Sequence, residues 1–239
     1  MTKRVLIDQL ADFETAVVAN AITALGLSEA HTYAMDGSIA CQTPDLPPMV
    51  GRAITIRLDS CTPGIESDNG PYNELLDQIE DSDLPHILVV QTSSKTPLRE
   101  CVLGDGMAKN IVACGGGGFV TDGGVRDMRG VMDQGLCVFA PRQTVQHGNM
   151  CWSDLGAPVE IGSVTVKTGD LLHGDYGGCI TVPEANHPWI VAAGSQVMDF
   201  EKQAHLELRR TDLRNHQKRK LMQEISAEHA RRIAAIKAG

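Results

Sequence analysis

Two adjacent residues of opposite charge, Arg126 and Asp127, follow a glycine turn in the stretch Asp122-Gly123-Gly124-Val125-Arg126-Asp127. The planar Arg fork pairs with a carboxylate through two parallel hydrogen bonds. The Asp offers a hard oxygen of the kind that Mg²⁺ or Mn²⁺ takes. A 2-oxo acid calls for both at once: its carboxylate suits the fork, and its keto and carboxylate oxygens can chelate a divalent ion. The plainer use of the same residues is an ion pair that holds the turn. A second feature lies upstream at Leu103-Gly104-Asp105-Gly106-Met107. A glycine turn that opens a helix leaves backbone N–H groups unpaired and pointing outward, a receptor for a carboxylate or phosphate.

Other chemistry-bearing patterns fail on detail. The run Gly115–Gly118 lacks the Lys-Ser or Lys-Thr pair of a nucleotide loop, and Lys109 stands where a dinucleotide fingerprint needs its third glycine. Those glycines read as places where helix and sheet backbones come close. Asp170 and Asp175 read as turn residues. His147, His173 and His187 have no histidine partner at helical or strand spacing, and His216 and His229 lie on a charged tail. The seven cysteines include no CxxC, so neither a disulfide framework nor a zinc knuckle is indicated.

The elements that must carry these residues follow a strand–helix rhythm. The spacing predicts a helix over 13–25, a strand over 51–58, a helix over 72–80 and a strand over 86–91. A helix around 107–114, a strand and turn over 118–124, a short helix over 125–135 and a strand over 137–140 follow with short connections, which marks an α/β fold. Short strands separated by Gly and Asp turns then suggest antiparallel or mixed sheet. From residue 184 the signal is helical, with breaks expected near Gly194 and Asp212. No repeat or linker divides the chain. We therefore expect one domain over 1–200 and a helical C-terminal extension over 201–239.

The chain has 239 residues, 42% hydrophobic, and a formal net charge of −9, enough for a real core and a poor fit to disorder. Residues 201–239 hold 10 Lys+Arg against 5 Asp+Glu, which leaves 11 against 25 for residues 1–200. Acids interspersed in the tail, and an acidic body that repels phosphates, speak against nucleic acid. The tail's sparse apolar positions need a surface to lie on, of its own subunit or a neighbouring one. No apolar run approaches a membrane span, and Asp8 and Asp12 interrupt any signal-peptide core, so a cytoplasmic protein is expected.

The stretch from Gly104-Asp105 through Gly118-Phe119-Val120-Thr121-Asp122-Gly123-Gly124-Val125-Arg126-Asp127 resembles the family of 4-hydroxy-4-methyl-2-oxoglutarate aldolases and RraA-type regulators of ribonuclease activity. The segments at 18–26, 47–56, 86–90, 136–140 and 163–175 agree with it, so that the likeness covers roughly residues 13–200. The resemblance implies a β/β/α three-layer fold like that of swivelling domains, assembled as trimers or hexamers. It implies a class II lyase that cleaves a 4-hydroxy-2-oxo dicarboxylic acid to release pyruvate, with oxaloacetate decarboxylation as a side activity. By position, Asp127 resembles the Mg²⁺ or Mn²⁺ ligand and Arg126 the pyruvate-holding residue. Gly104, Asp105, Gly106 and Met107 resemble the substrate carboxylate cradle, with Asp105 a catalytic acid where those enzymes usually have Glu. The pattern departs at Gly130, where the family usually carries an acid, at Asp175-Tyr176-Gly177-Gly178, which lacks a second acid, and at Asn20, which replaces an Asp. Two alternatives stay open: a non-enzymatic regulator of ribonuclease activity, and a metal-dependent enzyme acting on another 2-oxo acid.

Overall fold

Apolar residues on both faces of an eleven-residue run make β2 (Met49–Asp59) a central strand. In the computed structural model, which describes residues 2–96 and 99–238, this strand organises the molecule. The first three returns to the sheet from β2 each pass through a helix. β2 leads by α4 (Gly70–Glu80) to β3 (His86–Thr92), by α5 (Asp105–Ala113) to β5 (Gly116–Thr121), and by α6 (Met128–Met132) to β7 (Cys137–Ala140). These four strands are parallel neighbours, as helical crossovers require. The other edge of β2 takes the antiparallel hairpin β12 (Leu171–Asp175) and β13 (Gly178–Val182) over Met49–Arg52, and β9 (Cys151–Ser153) over Arg57–Asp59. Strand β1 (Ala40–Cys41) closes on β7 and carries the chain toward β13, so the sheet is nearly closed.

Ile54, Ile56 and Leu58 meet α4 and α5 on one face of the sheet. Ala53 and Ile87 meet the hairpin of β10 (Val159–Ile161) and β11 (Val164–Val166) on the other. Hairpin, sheet and helices thus make three layers. The third apolar cluster joins α1 (Lys3–Leu10), α2 (Thr15–Leu25) and α7 (Ile190–Leu208) to Val50, Leu171 and Ile180. The tail helix α8 (Asn215–Ala238) lies on α7 and α2 of its own chain, buries Ile225 and Ile233, and donates from Lys237 Nζ to the Leu25 carbonyl at 2.9 Å.

Several expectations are corrected. Helix α1 has no counterpart in the sequence reading; Thr2 caps it by accepting the Val5 N–H at 3.3 Å. Gly194 does not break α7. A Cβ there would sit 3.2 Å from the Phe13 ring, so the glycine permits close packing instead. The break expected at Asp212 falls between α7 and α8. Helix α6 is one short stretch of five residues, not a helix over the whole of 125–135. The chain ends Met1 and Gly239 lie outside the described residues.

Candidate active site

Past the carboxyl ends of β3, β5 and β7 the chain makes three brief parallel strands: β4 (Cys101–Leu103), β6 (Gly124–Val125) and β8 (Arg142–Gln143). The residues that leave them converge. Gly104 follows β4, Arg126 and Asp127 follow β6, and Thr144 and Val145 follow β8. Crevices at the carboxyl ends of parallel strands are where α/β sheets usually bind ligands.

Arg126 is anchored through its N–H to the Leu103 carbonyl at 2.9 Å, which locks it to β4. Its Nε lies 3.2 Å from Asp127 Oδ2, and the two side chains remain 31% and 48% exposed. They line a cavity of about 310 Å³ with Gln143, Thr144 and Val145. The sequence expectation therefore meets both of its readings. The neighbours do pair, and the pair faces an open cavity. A larger hollow, near Arg52, Lys167 and Glu184, lies away from this chemistry.

Asp127 adopts φ 57° and ψ 35°, a left-handed conformation that L-residues other than Asn and Asp rarely take. It occupies the N-cap of α6 yet makes no side-chain capping bond. The carboxylate is thus left for the cavity. Strain of this kind costs about 1–3 kcal/mol and persists where the surroundings enforce it.

Gly104 caps α5 in an extended conformation with no side-chain bond, and Ala108 N–H is the first to return to its carbonyl, at 3.0 Å. A Cβ at 104 would lie 3.2 Å from Arg126 Nε and 3.3 Å from Asp127 Oδ2. The ion pair therefore sits directly over the opening turn of α5, formed by Asp105, Gly106 and Met107.

Asp105 is the first residue of α5, where a negative charge is favoured by the helix dipole. Lys109 Nζ donates to it at 2.7 Å and, with the Lys109 charge, holds its carboxyl below the usual range. A Cβ on Gly130 would come within 2.8 Å of Asp105 Cβ and 3.2 Å of its Oδ2. Asp105, reaching across from α5, therefore packs directly against the bare backbone of Gly130.

Asp175, Asn20 and the turn residue Asp170 have structural uses. Asp175 is buried and accepts the Thr15 N–H at 2.7 Å and the Gly177 N–H at 2.8 Å, so it caps α2 from a strand. Asn20 donates to Glu201 at 2.9 Å, tying α2 to α7. Asp170 accepts the Lys167 N–H at 2.8 Å and closes a turn. Gln143, Thr144 and Val145 escaped the sequence reading. A two-residue strand has no periodicity, and the one available signal was their place after a buried parallel strand.

A family model described as RraA-like, Aldolase/RraA, matches residues 9–181. The protein named "Putative 4-hydroxy-4-methyl-2-oxoglutarate aldolase" from Ectopseudomonas mendocina (strain ymp) is 35% identical over 113 residues, 44% of this chain and 67% of that one. Its namesake from Azotobacter vinelandii is 32% identical over 112 residues, 45% and 66% of the two chains. These matches span about two thirds of the relatives' length. Among solved structures, an uncharacterized protein from Pseudomonas syringae pv. tomato superposes with TM-score 0.69 at 23% identity, covering 91% of this chain and 93% of its own. RraAS2 of Streptomyces coelicolor, described as an unusual member of the RNase ES inhibitor RraA family, gives TM-score 0.66 at 22% identity over 86% and 99%. At such identities the likeness establishes the fold.

Proposed function

Because the chain belongs to the RraA-like family, Aldolase/RraA, we propose that it is a lyase that cleaves a 4-hydroxy-2-oxo dicarboxylic acid and releases pyruvate, with oxaloacetate decarboxylation as a side activity. The observation that supports this most is the convergence of Arg126, Asp127 and the opening turn of α5 on one cavity. The names of the curated relatives point the same way.

Arg126 and the N–H groups of Asp105, Gly106 and Met107 would grip the substrate carboxylate. Arg126 also faces the oxygen on which negative charge develops as the C3–C4 bond breaks, and a donor fixed there before reaction stabilises that charge. Asp105, kept ionised by Lys109, accepts a hydrogen bond from the water that takes the 4-hydroxyl proton. Asp127 fits Mg²⁺ or Mn²⁺ as a single hard oxygen beside a solvent-filled cavity, since Mg²⁺ keeps several waters and needs few protein ligands. Such an ion, when bound, supplies Lewis-acid polarisation of the 2-oxo group. Residues 1–200 form the catalytic domain in this reading and 201–239 the helical extension. Val145, 95% exposed beside the cavity, fits assembly into a trimer or hexamer whose neighbour covers it.

A coupled assay with lactate dehydrogenase tests the reaction across 4-hydroxy-2-oxo diacids and oxaloacetate. We expect pyruvate release that requires Mg²⁺ or Mn²⁺, stops with EDTA, and is lost in Asp127→Ala with the circular dichroism unchanged. Full activity in Asp127→Ala would overturn the assignment. Absence of pyruvate from every substrate would leave a regulator or an enzyme of another 2-oxo acid.

A further inference from the structure

The turn after β2 holds a group of side chains that the proposed chemistry does not use. Asp59, the last residue of β2, Cys61 and Glu100 bring one donor atom each to within 4.8 Å of one another. Among the described residues, no other three His, Cys, Asp or Glu side chains gather so closely. None of the three lines the cavity of Arg126 and Asp127, whose remaining walls are Gln143, Thr144 and Val145.

Glu100 is completely buried. Its Oε2 accepts the Ser60 N–H at 2.6 Å and the Ser60 hydroxyl. Its Oε1 is enclosed and has no hydrogen-bond partner among the described residues. An enclosed carboxylate oxygen with nothing to neutralise it is costly. The neighbours make the cost larger, because Asp59 is an acid and Asp122 is close enough to feel the charge of Glu100. No ion pair among the described residues involves Asp59, Glu100 or Asp122. The group lacks a cation.

The donor set says which cation. Mg²⁺ takes oxygen ligands alone, whereas a thiolate beside carboxylates suits Zn²⁺. Asp59 Oδ1 accepts the N–H groups of Cys61 and Thr62 at 3.1 and 2.9 Å, and Oδ2 accepts the Thr62 hydroxyl at 2.6 Å. These bonds fix the carboxylate and still leave lone pairs for a metal. Cys61 Sγ has the hydroxyls of Ser94 and Thr96 at 3.1 Å each, so a fourth position is within reach of a hydroxyl or a water. We propose that Asp59, Cys61 and Glu100 bind one zinc ion, which neutralises the buried Glu100 and ties the end of β2 to the head of β4. On binding, the Cys61 thiol gives its proton to solvent.

Metal-stripped full-length protein titrated with ZnCl₂ against a chromogenic chelator tests this, with CoCl₂ as the spectroscopic probe. We expect one zinc per chain, a raised Tm, and with Co²⁺ a thiolate charge-transfer band. Cys61→Ser should abolish the band, and Cys61→Ser and Glu100→Gln should each weaken zinc binding at least about tenfold. Asp127→Ala should bind zinc unchanged, so failure of the lyase reading and failure of this one are distinguishable. Cys61 is only half-buried, so its variant decides the matter if Glu100→Gln does not fold. No zinc bound, equal affinity in Cys61→Ser, or zinc lost with Asp127→Ala would overturn the proposal.

Discussion

Asp127 holds a backbone conformation in which Gly would be at ease, at the head of a helix that it does not cap. A residue retained there for stability would use its carboxylate on the first N–H groups of α6. The free carboxylate instead meets Arg126 at the rim of a cavity. Arg126 has the more demanding geometric task, because a fork must match a carboxylate and an opposing oxygen together. We expect Arg126→Ala to lower kcat/KM for pyruvate release by roughly 30-fold or more, about 2 kcal/mol of transition-state stabilisation, with Tm within a few degrees of the parent. Unchanged kcat/KM in steady-state assays would remove Arg126 from the reaction. The pairing of types was legible in the sequence, since a fork and a hard oxygen beside a glycine turn suggest one class of ligand. The close approach of Asp105 to Gly130 was not, because it depends on how α5 and α6 cross.

At the scale of elements, α2 begins without a side-chain cap of its own. Glu14 stands at the N-cap and makes no capping bond, while Asp175 reaches the Thr15 N–H from β12. A long-range cap joins helix to sheet, and its loss leaves a buried N–H without a partner. Asp175→Ala should cost about 1–2 kcal/mol, read as a fall in Tm of roughly 2–8 °C by calorimetry. A Tm equal to the parent's would show that the cap contributes nothing. Helices with a clear stripe, such as α2 and α4, and strands with continuous apolar runs, such as β3 and β7, were readable within a few residues. Helix α1 escaped because its apolar face, Leu6, Ile7 and Leu10, is short and flanked by charge. Gly194 misled because propensity counts a helical glycine as a weakness, whereas here the missing side chain lets α7 lie against Phe13.

At the scale of the molecule, burial of histidines makes stability depend on pH. His173 is fully buried, with Nε2 donating to the Leu10 carbonyl at 3.0 Å. A carbonyl only accepts, so Nε2 carries the proton and Nδ1 accepts from the Thr15 hydroxyl at 2.9 Å. Burial pushes the pKa of His173 down from 6.5, and does the same to His86, His187 and His229. Below pH 6.5 the unfolded chain therefore binds more protons than the folded one. The stabilisation is complete above that pH and is lost as pH falls through the depressed folded values, by up to about 1.4 kcal/mol per pH unit for the fully buried His173 and by less for the partly solvated other three. At the alkaline side, burial raises Cys101 and Cys179, and pushes Cys137 up to about 11. Their contribution is present below pH 9.0 and is lost above it. Urea midpoints should thus be highest between about pH 6.5 and 9 and fall at pH 5.5. A midpoint that rises from pH 7.5 to 5.5 would contradict the neutral buried state of these rings.

The residue pattern by itself determined the α/β class and the helical C-terminus, which follow from periodicity and local turn chemistry that neighbours along the chain control, and the resemblance carried by Gly104 to Asp127 pointed to the family. The tertiary structure alone decided which short strands gather Gly104, Arg126 and Thr144 around one cavity, that Asp105 fills the volume beside Gly130, that Asp175 caps a distant helix, and that Asp59, Cys61 and Glu100 meet. Each of these joins residues from separate parts of the chain. Such contacts depend on how elements pack, and packing leaves no period in the sequence to read.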